Sequence, residues 1–134
     1  MFEQEEQQQI RIRLAETLRW VVSQRLMPKI GGGRIAALEV MGNNLRVKDS
    51  IEHGESEGKT FYEIIEASST FGWKTFDMAV LELYEQELIT EESALLYCSN
   101  KGVVSRGIDK IKKANGNSAT GHAALKLDLR YGRK

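Results

Sequence analysis

The sequence predicts an α+β chain in which one β-hairpin sits among short helices. Three observations lead there. Two β-favouring apolar runs, at 20–27 and 35–41, flank a proline and three consecutive glycines. Stretches of helical period lie before and after them. Residues that open and close helices punctuate the second half, among them a Thr-x-x-Glu capping box at 60–63.

Residues 3–19 read as the first helix. Ile10, Leu14 and Leu18 share one face, and Glu3, Glu5 and Glu6 suit the positive end of the helix dipole. The hairpin follows. Val21, Val22, Leu26 and Met27 form one strand, and Ile35, Leu38 and Val40 the other. Between them Pro28 and Gly31, Gly32 and Gly33 make the turn, where positive φ is reached without steric cost. Both strands are apolar on both faces, as in a sheet covered on two sides. A lone hairpin is marginal in water. The rest of such a sheet is not evident in the sequence, so the hairpin reads as part of a core that continues elsewhere, or as a surface that packs on a partner.

After Gly42 the pattern is helical. Asn43 or Asn44 caps a helix reaching about His53, and Thr60 with Glu63 opens one carrying Phe61, Ile64 and Ile65. Gly72 breaks the chain. Thr75 caps a helix with Phe76, Val80 and Leu83 inward, and Thr90 caps another with Glu91 and Glu92 in its first turn. A last helix spans about 103–113 with Val104, Ile108 and Ile111 inward. Residues 115–134 read as a mobile tail, or as an added edge strand over "LKLDLRY". Trp20 reads as a core or interface residue and Trp73 as a core residue or a partner anchor, with core packing the larger share for both.

Composition excludes more than it assigns. Of 134 residues, 19 are Lys or Arg and 19 are Asp or Glu, so no net charge favours nucleic acid or anionic lipid. The single cysteine, Cys98, cannot form an internal disulfide, which suits a reducing compartment, and it reads as a half-buried inert thiol. His53 and His122 have no ligand-spaced neighbours for zinc. "GESEGKT" at 54–60 mimics a phosphate loop, but that loop needs G-x-x-x-x-G-K-S/T, and the position of its first glycine is held by His53. Glu55 and Glu57 would also oppose phosphate. The segment reads as an acidic turn with Lys59 in solvent. Lys101, Arg106, Lys110, Lys112 and Lys113 against Asp109 make one basic helix. A solvated face explains it best; a stand-alone adaptor or nucleic-acid-binding module using residues 101–113 is the alternative function.

Three ordered stretches resemble the C-terminal part of PilT-type ATPases, the type IV pilus retraction motors of the secretion ATPase superfamily. They are "IRIRLAETLRWVVSQRLMPKIGGGRIAALEVM" at 10–41, "NLRVKDSIEHG" at 44–54, and "GKTFYEIIEASSTFGWKTFDMAVLELYEQELITEESALLYCSN" at 58–100. The resemblance implies that residues 1–42 are the last helix and terminal β-hairpin of a RecA-like α/β sheet. Residues 43–114 would be the C-terminal helical bundle. It implies a cytoplasmic homo-hexameric ring, peripheral to the inner membrane, that meets a pilus-base platform protein and powers twitching motility, with no nucleic acid partner. The family's Walker A, acidic, Walker B and histidine boxes are absent from these residues. The chain alone is thus expected to be no enzyme and to hold no cofactor, ATP and magnesium belonging to the parent. Carried over are Ser23, Gln24, Arg25 and Leu26 as a strand near the nucleotide side or a subunit interface. Arg46 matches the AIR-type motif, where Asn44 replaces alanine, and Gly72, Thr75, Phe76 and Asp77 match the bundle motif. Trp73 stands where Met is common, and Glu87 where Gly is usual.

Overall fold

The computed structural model describes the backbone of residues 3–131 and the side chains of residues 3–116. Helix α1, Gln4–Thr17, leads into strand β1, Trp20–Pro28, and its antiparallel partner β2, Arg34–Gly42. Four short helices follow: α2, Leu45–His53; α3, Phe61–Ala67; α4, Phe76–Glu85; and α5, Glu91–Tyr97. Helix α6 runs Lys101–Tyr131, past the end expected near residue 113. Its backbone is helical where an edge strand was one option, and the side chains of the expected 115–134 tail beyond Gly116 lie outside the described residues.

Local chemistry sets the boundaries. Asn44, Thr60, Thr75 and Thr90 each accept a backbone N–H three residues on, from Val47, Glu63, Met78 and Ser93. Each such cap contributes about 1 kcal/mol. Thr60 and Glu63 close the full capping box. Their mutual hydrogen bonds hold the Glu63 carboxyl below its usual range. Gly72, at φ 84, ends a 3-10 turn over Ser69–Phe71. Glu87 adopts φ 59 without being glycine, in the turn before Thr90.

The hairpin register pairs Trp20 with Gly42, Ser23 with Glu39 and Pro28 with Arg34. Its inner face carries Met27, Ala37 and Met41, all buried. Two clusters lie beneath it. One joins Met27 and Ala37 to Phe76, Val80, Ile89, Val104 and Ile108 of the helices. The other joins Met41 to Val47, Ile64, Ile65 and Trp73.

One expectation fails here. Trp20 is 61% exposed, so its core reading fails, because the register sets it on the outer face of the hairpin beside Val22. Trp73 does reach the core. On α1, Ile10 and Leu14 stay 42% and 46% exposed, and Ala15 is its one fully buried residue. The face that Ile10 and Leu14 share on α1 has little of the described chain to lie against.

Candidate functional site at the joint between hairpin and helices

Much of the fastening between the hairpin and the helices runs through one short stretch, residues 72–77, with a further bond from Ile30 N–H of the hairpin turn to Leu88 O. Lys74 extends the sheet by a two-way bridge: Val40 N–H donates to Lys74 O at 2.8 Å, and Lys74 N–H to Val40 O at 2.9 Å. Its ammonium reaches Glu82 on α4 at 2.6 Å. Phe76 N–H, at the start of α4, donates to Glu39 Oε2 of β2 at 3.2 Å. The guanidinium of Arg25 on β1 lies 4.0 Å from the centroid of the Phe76 ring. Its Nη1 donates to Tyr97 O at the end of α5 at 2.8 Å. Arg25 therefore ties β1 to α4 and α5 with one cation–π contact and one charge-assisted hydrogen bond, a double role that lysine could not fill.

Asp77 is the second fastening. It is 1% exposed, yet every donor around it is aimed at the carboxylate. Tyr62 OH donates to Oδ2 at 2.8 Å, Ser99 N–H to Oδ1 at 2.7 Å and Asn100 N–H to Oδ2 at 3.1 Å. One carboxylate thus joins α3, α4 and the turn that opens α6. Burial, then the hydrogen bond to Asp77, pushes the Tyr62 phenol above its usual range. Burial, then the Asp77 charge, does the same to the Cys98 thiol, whose Sγ also contacts Leu95 O at 3.3 Å. A thiol so placed is a poor nucleophile.

The structure brings Arg25, Gly72, Thr75, Phe76 and Asp77 together and leaves the other motif residues apart. Ser23 faces inward opposite Glu39, while Gln24 and Leu26 point out from the hairpin, with Leu26 47% exposed. Arg46 is exposed near the start of α2. The "GESEGKT" turn follows a helix and not a strand. Lys59 pairs with Asp49 at 3.4 Å, and Glu55 accepts the Phe61 N–H at 2.7 Å. On the basic helix, Lys112 is paired with Glu91. Among the described residues no group of His, Cys, Asp and Glu could hold a metal ion. No helix there is long and apolar enough to cross a membrane.

The type IV pilus retractation ATPase PilT of Pseudomonas aeruginosa is 36% identical to this chain over 94 residues, 70% of the chain and 27% of PilT. The type IV pilus ATPase PilU of the same organism is 34% identical over 93 residues, 69% of the chain and 24% of PilU. A crystal structure of the pilus retraction motor PilT with bound ADP is similar at a TM-score of 0.59 and 31% identity, over 79% of this chain and 29% of that one. The chain is a homologue of the PilT-type ATPases. It spans about a quarter of the length of the curated relatives it matches. The ATPase DotB of Legionella pneumophila, 22% identical with a TM-score of 0.53 over 71% of this chain and 25% of that one, shares the fold. No family model matches the chain.

In this PilT homologue the motif stretch 72–77 builds the joint. Sequence reasoning gave Thr75 a cap and Phe76 a core position, and both hold. The motif match for Asp77 did not reveal its three donors. An Asp directly after a Thr-Phe cap, with the turn "CSNKG" downstream, was the available signal. Lys74 and Glu39 were missed altogether, since nothing local marks a residue that bridges elements 34 or more positions apart.

Proposed function

We propose that the chain serves as the C-terminal portion of a PilT-like hexameric motor that powers type IV pilus retraction. In that reading the hairpin completes a RecA-like sheet. The helices ride on the hairpin through the Arg25–Phe76, Glu39–Phe76 and Val40–Lys74 contacts and pass its motion on, with Asp77 holding the helices to one another, and they contribute to ring assembly. The chain alone hydrolyses no ATP; ATP and magnesium are held by other parts of the parent ring. Its partners are the neighbouring subunits and a platform protein at the pilus base, on the cytoplasmic side of the inner membrane.

The observation that carries this reading is the outer face of the hairpin. Val22, Leu26 and Leu38 stand 62%, 47% and 41% exposed on it. The sheet has two strands, and β2 finds one further backbone partner in Lys74, whereas β1 has none among the described residues. An open strand edge beside an apolar face is a surface built to be covered. In a homologue of PilT-type motors, the rest of the motor core is the natural cover.

A chimera tests this. The chain replaces the matched quarter of Pseudomonas aeruginosa PilT, and ring formation and ATP hydrolysis are measured. Hydrolysis by an assembled ring is expected, lost when Val22→Lys and Leu38→Lys are introduced together. A soluble chimera that neither assembles nor hydrolyses ATP would overturn the reading.

A further inference from the structure

A groove of about 650 Å³ opens at the end of the hairpin where Trp20 and Gly42 pair. Trp20, Phe71 and Trp73 line it, together with Arg19, Lys48 and Glu16. It shares no residue with the Arg25 and Asp77 fastenings. We infer that this groove docks a partner segment that carries a large apolar side chain flanked by carboxylates.

Folding does not account for what the groove displays. Phe71 is 76% exposed, although it sits in a hydrogen-bonded turn: its N–H donates to Ser68 O, and Gly72 N–H donates to Ser69 O. The turn holds the ring in water. Trp20 is 61% exposed beside Gly42, and Gly42 can gain no side chain, because a Cβ there would stand 2.6 Å from the Trp73 indole. Two aromatic rings thus border a hollow whose wall is a third, buried one. Aromatic rings beside arginine are the residue types that dominate binding at protein interfaces.

Charge selects the occupant. Neither Arg19 nor Lys48 has an ion-pair partner among the described residues, and exposed Arg46, near the start of α2, has none either. Glu16 is the single carboxylate of the lining. Two unpaired cations against one anion favour carboxylates on the incoming segment. Stacked bases could use the same rings and cations. A chain of zero net charge has no field to draw in a polyanionic strand, which favours the acidic peptide.

Fluorescence anisotropy of labelled peptides tests this on the full chain. The probes are Glu-Asp-Leu-Phe-Asp-Glu, its counterpart with lysine at every acidic position, and a short oligothymidine. The acidic peptide is expected to saturate below about 1 mM, and the lysine peptide to bind at least about tenfold more weakly. Phe71→Ser, and separately Arg19→Glu with Lys48→Glu, should each weaken the acidic peptide by about tenfold or more. These positions are exposed or half-buried, and unchanged thermal melts show that the variants stay folded; Trp20→Ser serves if one does not. The inference is overturned by no saturation at about 1 mM, by equal binding of the two peptides, or by tighter binding of the oligothymidine. Failure here leaves the chimera result untouched.

Discussion

Replacing Asp77 by alanine removes the acceptor of three donors at once. Hydrogen bonds to an ionised group contribute roughly 1.5–3 kcal/mol each. Two of the three stranded donors, the N–H groups of Ser99 and Asn100, belong to exposed residues, so water recovers much of their loss. The third is the half-buried Tyr62 hydroxyl. A net cost of about 3 kcal/mol follows. A domain of this size is stable by about 10 kcal/mol, and each kcal/mol shifts its midpoint by about 4 °C. Asp77→Ala should therefore lower Tm by about 12 °C. Asp77→Asn keeps one acceptor oxygen but turns an amide N–H₂ toward donors, and should fall between the two proteins. Urea titration followed by tryptophan fluorescence gives the free energy. The slope m should stay constant, and in native-state hydrogen exchange the first amides of α6 should lose protection before those of α4. A loss below about 1 kcal/mol for Asp77→Ala would refute the reasoning that this carboxylate holds three helices together.

The Tyr62 phenol, raised by burial and by Asp77, keeps its proton in the folded state at a pH where the unfolded chain loses it. Stability present below the unfolded value of about 10 should decline as pH rises beyond it, and Tyr62→Phe should flatten that decline. Glu87→Gly relieves a left-handed backbone at φ 59 and should raise stability by about 1 kcal/mol, read from the urea midpoint. Gly42→Ala drives a Cβ against the buried Trp73 indole and should cost about 2 kcal/mol. Gly107→Ala meets only the methyl end of half-buried Leu81, at 2.5 Å, and should cost less.

What could be read from the sequence was local. The hairpin and its glycine turn, the Asn44, Thr60, Thr75 and Thr90 caps and the break at Gly72 follow from side chains acting on backbone within four residues. The inward faces of α4 and α6 follow from a 3.6-residue period. The failures share a cause in distance. Trp20 reads as a core or interface residue until its pairing with Gly42, 22 positions away, sets it on the outer face. Arg25 belongs to a recognisable motif, yet its contacts are Phe76 and Tyr97, which no spacing reveals. Ile10 and Leu14 share one face of an otherwise polar helix, and their exposure marks a face whose cover is not among the described elements. The end of α6 was missed because glycines and small polar residues after Asn115 weaken helix propensity without forbidding the helix.

The central claim is that the joint passes motion from the nucleotide-driven core to the helices. It is tested most directly in the chimera with Pseudomonas aeruginosa PilT by measuring twitching and ATP hydrolysis together, with and without Arg25→Ala. The account predicts that hydrolysis persists while movement per ATP consumed falls severalfold. Equal loss of both, or no loss of either, would contradict it.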